Sequence, residues 1–209
     1  VAFLPLSFLL VLPMLSLGES YFPWIEMMAG DPVVQNKSAY LNMPFLIARN
    51  ILGLAALFGV ALYFVYLALR PDMGLTDQRT EAGGKSEEAW RARLTRGWMG
   101  QEKEQVRSYK RMTTIAPVFV IMYAVVMTML SYDWIMSLEP HWFSTMLGPW
   151  FFMGAFWAGI AATALWSMYL RTQHEYFHRH IGLQQRHDIG KLAFGFCVFW
   201  TYLFFGQYL

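Results

Sequence analysis

Charge is scarce in this sequence, and cysteine is nearly absent. Only 14% of the 209 residues are Asp, Glu, Lys or Arg, against about 25% in an ordinary soluble domain. The single thiol, Cys197, excludes a disulfide framework within the chain and any iron–sulfur cluster held by four of its own thiolates. The sequence contains no C-x-x-C-H, so it has no attachment point for a covalent c-type haem. Alternating apolar and polar residues, the mark of a barrel strand, are missing as well. What is abundant is apolar: 56% of residues are hydrophobic and 18% aromatic. They lie in runs of roughly 17 to 27 residues, and about 20 are needed to cross a hydrocarbon core of about 30 Å as a helix. Lipid offers backbone groups no partner, so the runs must be helices that satisfy their own hydrogen bonds. The expected fold is all-α, a polytopic transmembrane helical bundle with about five spanning helices.

The expected spans follow the runs. Residues 1–17 form the first, kinked at Pro5 and Pro13, followed by a polar connection over 18–42 with Tyr21, Trp24 and Tyr40 as interfacial aromatics. Residues 43–69 form the second, with Pro44 in the first turn and Arg70-Pro71 as its stop. A charged segment over 70–112 carries ten Lys/Arg and seven Asp/Glu, with Gly83-Gly84 as its flexible part and 87–111 as a surface helix of mixed charge. Residues 113–138 form the third span and 144–170 the fourth, joined by a short link at 139–143. A His-rich loop over 171–190 leads to the fifth span, 191–209. The chain starts on Val1 and is still apolar at Leu209, so both ends are expected to be truncations of a longer subunit.

Basic residues set the orientation. Segments 70–112 and 171–191 hold fourteen Lys/Arg, whereas 18–42 and 139–143 hold only Lys37. By the positive-inside rule the first pair is cytoplasmic and the second is exported. The net charge of +2 carries no sign of a nucleic-acid partner.

Two ionisable groups fall inside the apolar runs, Arg49 and Asp133. A charge at the bilayer centre costs at least about 2.5–3.5 kcal/mol, so each is a site candidate. Both lie about five residues, or roughly 8 Å, below the same exported surface. Equal depth allows them to meet, or to share a polar pocket with Tyr132, Glu139 and Asn50. The bland reading is an arginine that snorkels and an aspartate that accepts structural hydrogen bonds.

His174-Glu175-Tyr176-Phe177-His178 matches H-E-x-x-H, the zinc-protease pattern of two histidines one helical turn apart with a glutamate base. His187 or Asp188 would supply a third ligand. The motif sits among Arg171, Arg179, His180 and Arg186, which reads more simply as a solvated basic face. Gly154, Ala155, Ala158, Gly159, Ala162 and Thr163 repeat small residues along the fourth span, a device for close helix approach. Trp150, Phe151, Phe152, Phe156, Trp157 and Trp166 cover its other faces, either as packing or as a groove for a quinone or lipid tail.

The run Ser131-Tyr132-Asp133-Trp134-Ile135-Met136-Ser137-Leu138-Glu139-Pro140-His141-Trp142-Phe143-Ser144-Thr145 closely resembles a segment of the ActF-type membrane subunit of bacterial alternative complex III, a quinol:electron-acceptor oxidoreductase. Asn42-Met43-Pro44-Phe45-Leu46-Ile47-Ala48-Arg49 is similar to that family's entry into its next helix. The resemblance covers essentially the whole chain, as about half of a ten-helix, NrfD/PsrC-like subunit. It implies a bacterial cytoplasmic-membrane protein without a cofactor of its own. Quinol, c-type haems and iron–sulfur clusters would belong to partner subunits, among them the ActC-type membrane subunit. It implies a proton-path or polar-pocket role for Asp133, with Arg49, Tyr132, Glu139 and His141 around it. The alternatives are a membrane zinc protease acting through His174, Glu175 and His178, or half of a transporter.

Overall fold

The computed structural model describes residues 9, 13, 21–73, 90 and 92–208. The described residues are helical and contain no strand. Two short helices, α1 (Trp24–Met27) and α2 (Pro32–Asn36), precede the long α3 (Met43–Met73) and α4 (Gln101–Trp134). A 3-10 turn, Met136–Leu138, leads to α5 (Leu147–Gln173), the short α6 (Glu175–His180) and α7 (Leu183–Tyr208). Helices α3, α5 and α7, and α4 together with its 3-10 turn, are long and apolar enough to cross a membrane. The chain is an all-α, polytopic membrane-spanning bundle. The expected first span, 1–17, lies almost wholly outside the described residues, as does Gly83-Gly84.

Local chemistry explains three of the helix starts. The Asn42 side chain accepts from the Phe45 amide at 2.9 Å and caps α3. The Asp31 side chain does the same for the Val33 amide at 2.8 Å, with Pro32 at the first position of α2. Gly97 and Gly100 adopt φ of 73° and 100° just before α4, a region open to glycine at little cost.

Several expected boundaries move. Helix α3 continues through Arg70-Pro71 to Met73; a proline in the last turn removes only one late bond of the ladder. The surface helix expected over 87–111 and the third span are continuous from Gln101, because no glycine or proline interrupts 101–116. At 34 residues α4 is about 51 Å long, so its charged first turns stand clear of a hydrocarbon core of about 30 Å. It ends at Trp134, four residues short of expectation. The fourth span runs from 147 to 173 rather than 144 to 170. The expected loop over 171–190 contains α6 and the first turns of α7.

The described residues group into two compact units, one within 47–123 and the other made of 21–46 with 124–208. In the first unit α3 and α4 run antiparallel. Phe64 stacks on Phe119 with ring centroids 6.4 Å apart, and Arg70 meets Glu104. In the second, α5 and α7 pair antiparallel through Trp157–Trp200, Trp150–Trp200 and Trp150–Phe204. Much of the apolar surface of the spans remains uncovered: Leu52, Ile121, Leu165 and Phe194 are all well exposed. A face of that kind suits lipid and not water.

Only part of the small-residue stripe on α5 serves helix contact. A Cβ on Gly154 would lie 2.7 Å from Trp200 Nε1, and one on Gly148 would lie 2.5 Å from Thr128 Cγ2. Gly159 has open space instead, and its carbonyl accepts the Thr163 hydroxyl at 2.8 Å.

Candidate functional site

The second unit carries a polar site at the loop end of its helices. Asp133 lies in the last turn of α4 and is 1% exposed. Two hydroxyls reach it. Tyr40 donates to its Oδ1 at 2.9 Å, and Ser137 donates to its backbone carbonyl. The second bond satisfies one of the carbonyls that a helix end leaves without a partner. Ser131, also buried, bonds back to the Thr128 carbonyl at 2.7 Å.

The segment before α3 packs over this helix end. Phe22 and Trp24 are buried, and Phe22 stands 5.7 Å from the Trp134 ring. Lys37 Nζ donates to the Pro140 carbonyl at 2.6 Å, tying the segment to the 139–143 link. His141 Nε2 lies 2.6 Å from Asp31 Oδ2. Residues 21–42, the described part of the stretch read as a polar connection, are therefore an ordered cover with its own small core.

Each expected site residue has a definite place. Tyr132 is half-buried and lines a cavity of about 350 Å³ next to Asp133. Glu139 is exposed, and its backbone closes the 3-10 turn. His141 is exposed and faces Asp31. Arg49 and Asn50 are both buried on α3, in the first unit. A polar Asp133 environment is thus present, made in part by Tyr40, which had been read only as an interfacial aromatic. Ninety-three residues separate Tyr40 from Asp133. No local pattern in the chain signals such a contact.

The Asp31 carboxyl is the group here with a clear electrostatic bias. Partial desolvation pushes it up. The Val33 amide and the His141 imidazole outweigh that push and hold it below its usual 3.8. A carboxylate with a lowered folded value contributes stability above its unfolded value, and the contribution vanishes as pH falls through the folded one. The gap in thermal midpoint between wild type and Asp31→Asn should therefore close as the pH drops below 3.8. A gap that persists there would show that the charge plays no part.

The H-E-x-x-H stretch opens a short helix, with the His178 amide donating to the His174 carbonyl at 3.1 Å. His174 has φ −133° and ψ 125°, extended backbone, and it sits between α5 and α6. Glu175 pairs with Arg179, and His180 Nδ1 contacts the Tyr176 carbonyl at 2.7 Å. Asp188 is bonded by Lys191 at 3.4 Å. Among the described residues, no three His, Cys, Asp or Glu side chains come together as a metal site.

Compared with known proteins, the chain matches no family model and no curated protein.

Proposed function

We propose that this chain is a membrane subunit of a respiratory quinol:electron-acceptor oxidoreductase of the alternative complex III type. It carries no redox centre itself and supports assembly and proton movement beside haem- and iron–sulfur-bearing partners. The observation that carries this reading is the run 131–145, which resembles the ActF-type subunit and centres on Asp133. Burial of that carboxyl at a helix end, with a tyrosine hydroxyl at 2.9 Å, supports a proton-exchanging role. A buried carboxyl next to a hydroxyl can pass a proton along a short hydrogen-bonded chain. In this reading the arginine- and lysine-rich ends face the cytoplasm of a bacterium, and the Asp133 end faces outward.

Two experiments test it. Affinity purification of the tagged chain from its native membrane should recover subunits with c-type haem and iron–sulfur absorbance; recovery without them overturns the reading. Within the purified assembly, Asp133→Asn should lower coupled proton movement by about a hundredfold, the low end of what a positioned proton-transfer group supplies. Tyr40→Phe should lower it less, since the carboxyl remains. An Asp133→Asn assembly that turns over and moves protons normally would make Asp133 a structural residue.

A further inference from the structure

The cavity beside Asp133 has a feature that the proton-path reading leaves unused. Its volume, about 350 Å³, falls within the roughly 300–1,000 Å³ of small-molecule sites. Its wall is mainly carbon from Tyr40, Leu41, Tyr132, Met136, Trp142 and Phe143. Among the described residues one cation, Lys37, joins that wall, and no Asp or Glu lines it. Lys37 is also the lone Lys or Arg of the two segments at this end of the spans, 18–42 and 139–143. An ammonium has three N–H donors, and the Pro140 carbonyl takes one of Lys37's at 2.6 Å. That bond fixes the head of a flexible side chain and leaves donors for an anion.

Position along the helices gives the depth. Leu41 stands two residues before α3 begins, and Met136 two residues after α4 ends. Trp142 and Phe143 at the rim are 40% and 78% exposed. Tryptophan, with its amphipathic ring, marks the headgroup level of a bilayer. A site that offers one positive charge and an apolar wall at that depth matches an anionic amphiphile. A freely soluble anion would gain nothing from the carbon wall, and an uncharged apolar molecule would gain nothing from Lys37.

We propose that this cavity binds one anionic phospholipid of the surrounding leaflet. Its phosphate pairs with Lys37, its first methylenes lie against Leu41, Met136 and Trp142, and its chains leave past Phe143 into the bilayer. The proposal rests on membrane residence and not on the redox role, so either can fail alone.

Native mass spectrometry of the intact chain in mild detergent, titrated with phosphatidylglycerol or phosphatidylcholine, tests it. Wild type should hold one phosphatidylglycerol more tightly than phosphatidylcholine. Lys37→Gln should weaken that lipid about fivefold, the share of one lysine near an anionic surface. Lys37→Arg should retain it. Trp142→Ser, a change at the exposed rim, should weaken it while leaving the fold intact, and Lys191→Gln at the far end of α7 should not matter. Excess inorganic phosphate should fail to displace the lipid. Displacement by phosphate would reveal a simple anion site and overturn the proposal. Equal binding of both lipids, or unchanged phosphatidylglycerol binding in Trp142→Ser together with Lys37→Gln, would overturn it as well.

Discussion

Glu104→Ala is expected to destabilise the first unit by about 3–5 kcal/mol, the cost of leaving one member of a buried ion pair alone. The Glu104 side chain is 1% exposed and that of Arg70 is 15% exposed. Arg70 Nε donates to Oε2 at 2.9 Å, and its Nη2 reaches Oε1 at 3.4 Å and the Arg96 carbonyl at 3.1 Å. Arg70 also donates to the Tyr66 hydroxyl, which itself bonds the Leu94 carbonyl at 3.0 Å. One guanidinium therefore ties the end of α3, the approach to α4 and the first turn of α4. Without Glu104, that guanidinium keeps its carbonyl and hydroxyl partners but loses its counter-charge. The attraction between the pair repays desolvation only while both members are present. The double variant Arg70→Met with Glu104→Leu should accordingly recover most of the loss. Unfolding in mixed micelles with increasing denaturing detergent measures all three. A loss of under about 1 kcal/mol for Glu104→Ala would place the pair with ordinary surface salt bridges.

The second large effect concerns Gly154. Gly154→Ala should cost about 1–3 kcal/mol, the usual penalty for forcing extra volume into a packed contact. The new methyl would meet Trp200 Nε1 at 2.7 Å and Cδ1 at 3.3 Å. The indole has little room to yield. It is flanked by Trp150 at 5.6 Å, Trp157 at 5.7 Å and Phe204 at 6.0 Å between ring centroids. Residues 150, 154 and 157 share one face of α5, so the glycine forms the floor of a slot that Trp200 fills. Gly159→Ala is the control. Its methyl meets no atom within 4 Å, and alanine is the better helix former, so stability should hold or rise slightly. If both variants unfold alike in a detergent titration, close approach at Gly154 is not what holds α5 to α7.

The two pairs differ in how far the sequence discloses them. Small residues at regular spacing on α5 show that some helix approaches closely, yet they do not say which position is used. Gly154 is, and Gly159 is not, because only one of the two turns toward α7. Glu104 gave no such hint. It lies in a stretch dense with charge, where a solvated face is the natural reading, and its partner stands 34 residues away. Sequence reasoning prices a charge by its neighbours along the chain, whereas burial depends on what folds against it. The same holds for Asp133. Its place inside an apolar run makes it a site candidate on cost alone, but Tyr40 as its donor comes from a distant loop. The histidine motif likewise depends on what the fold brings to it. Its turn closes on the His174 carbonyl, but among the described residues no third His, Cys, Asp or Glu side chain joins it as a metal site.

By itself, the sequence determined that this protein is helical and membrane-spanning, since long apolar runs in lipid leave the backbone no other way to satisfy its hydrogen bonds. It also determined which few side chains are costly enough to matter. Tertiary structure alone decided their company: Tyr40 on Asp133, Arg70 on Glu104, Trp200 over Gly154 and Lys37 at the mouth of a cavity. Hydropathy is a property of each residue and adds up along the chain. Pairing depends on which helix faces turn toward one another, and that is settled only when the helices pack.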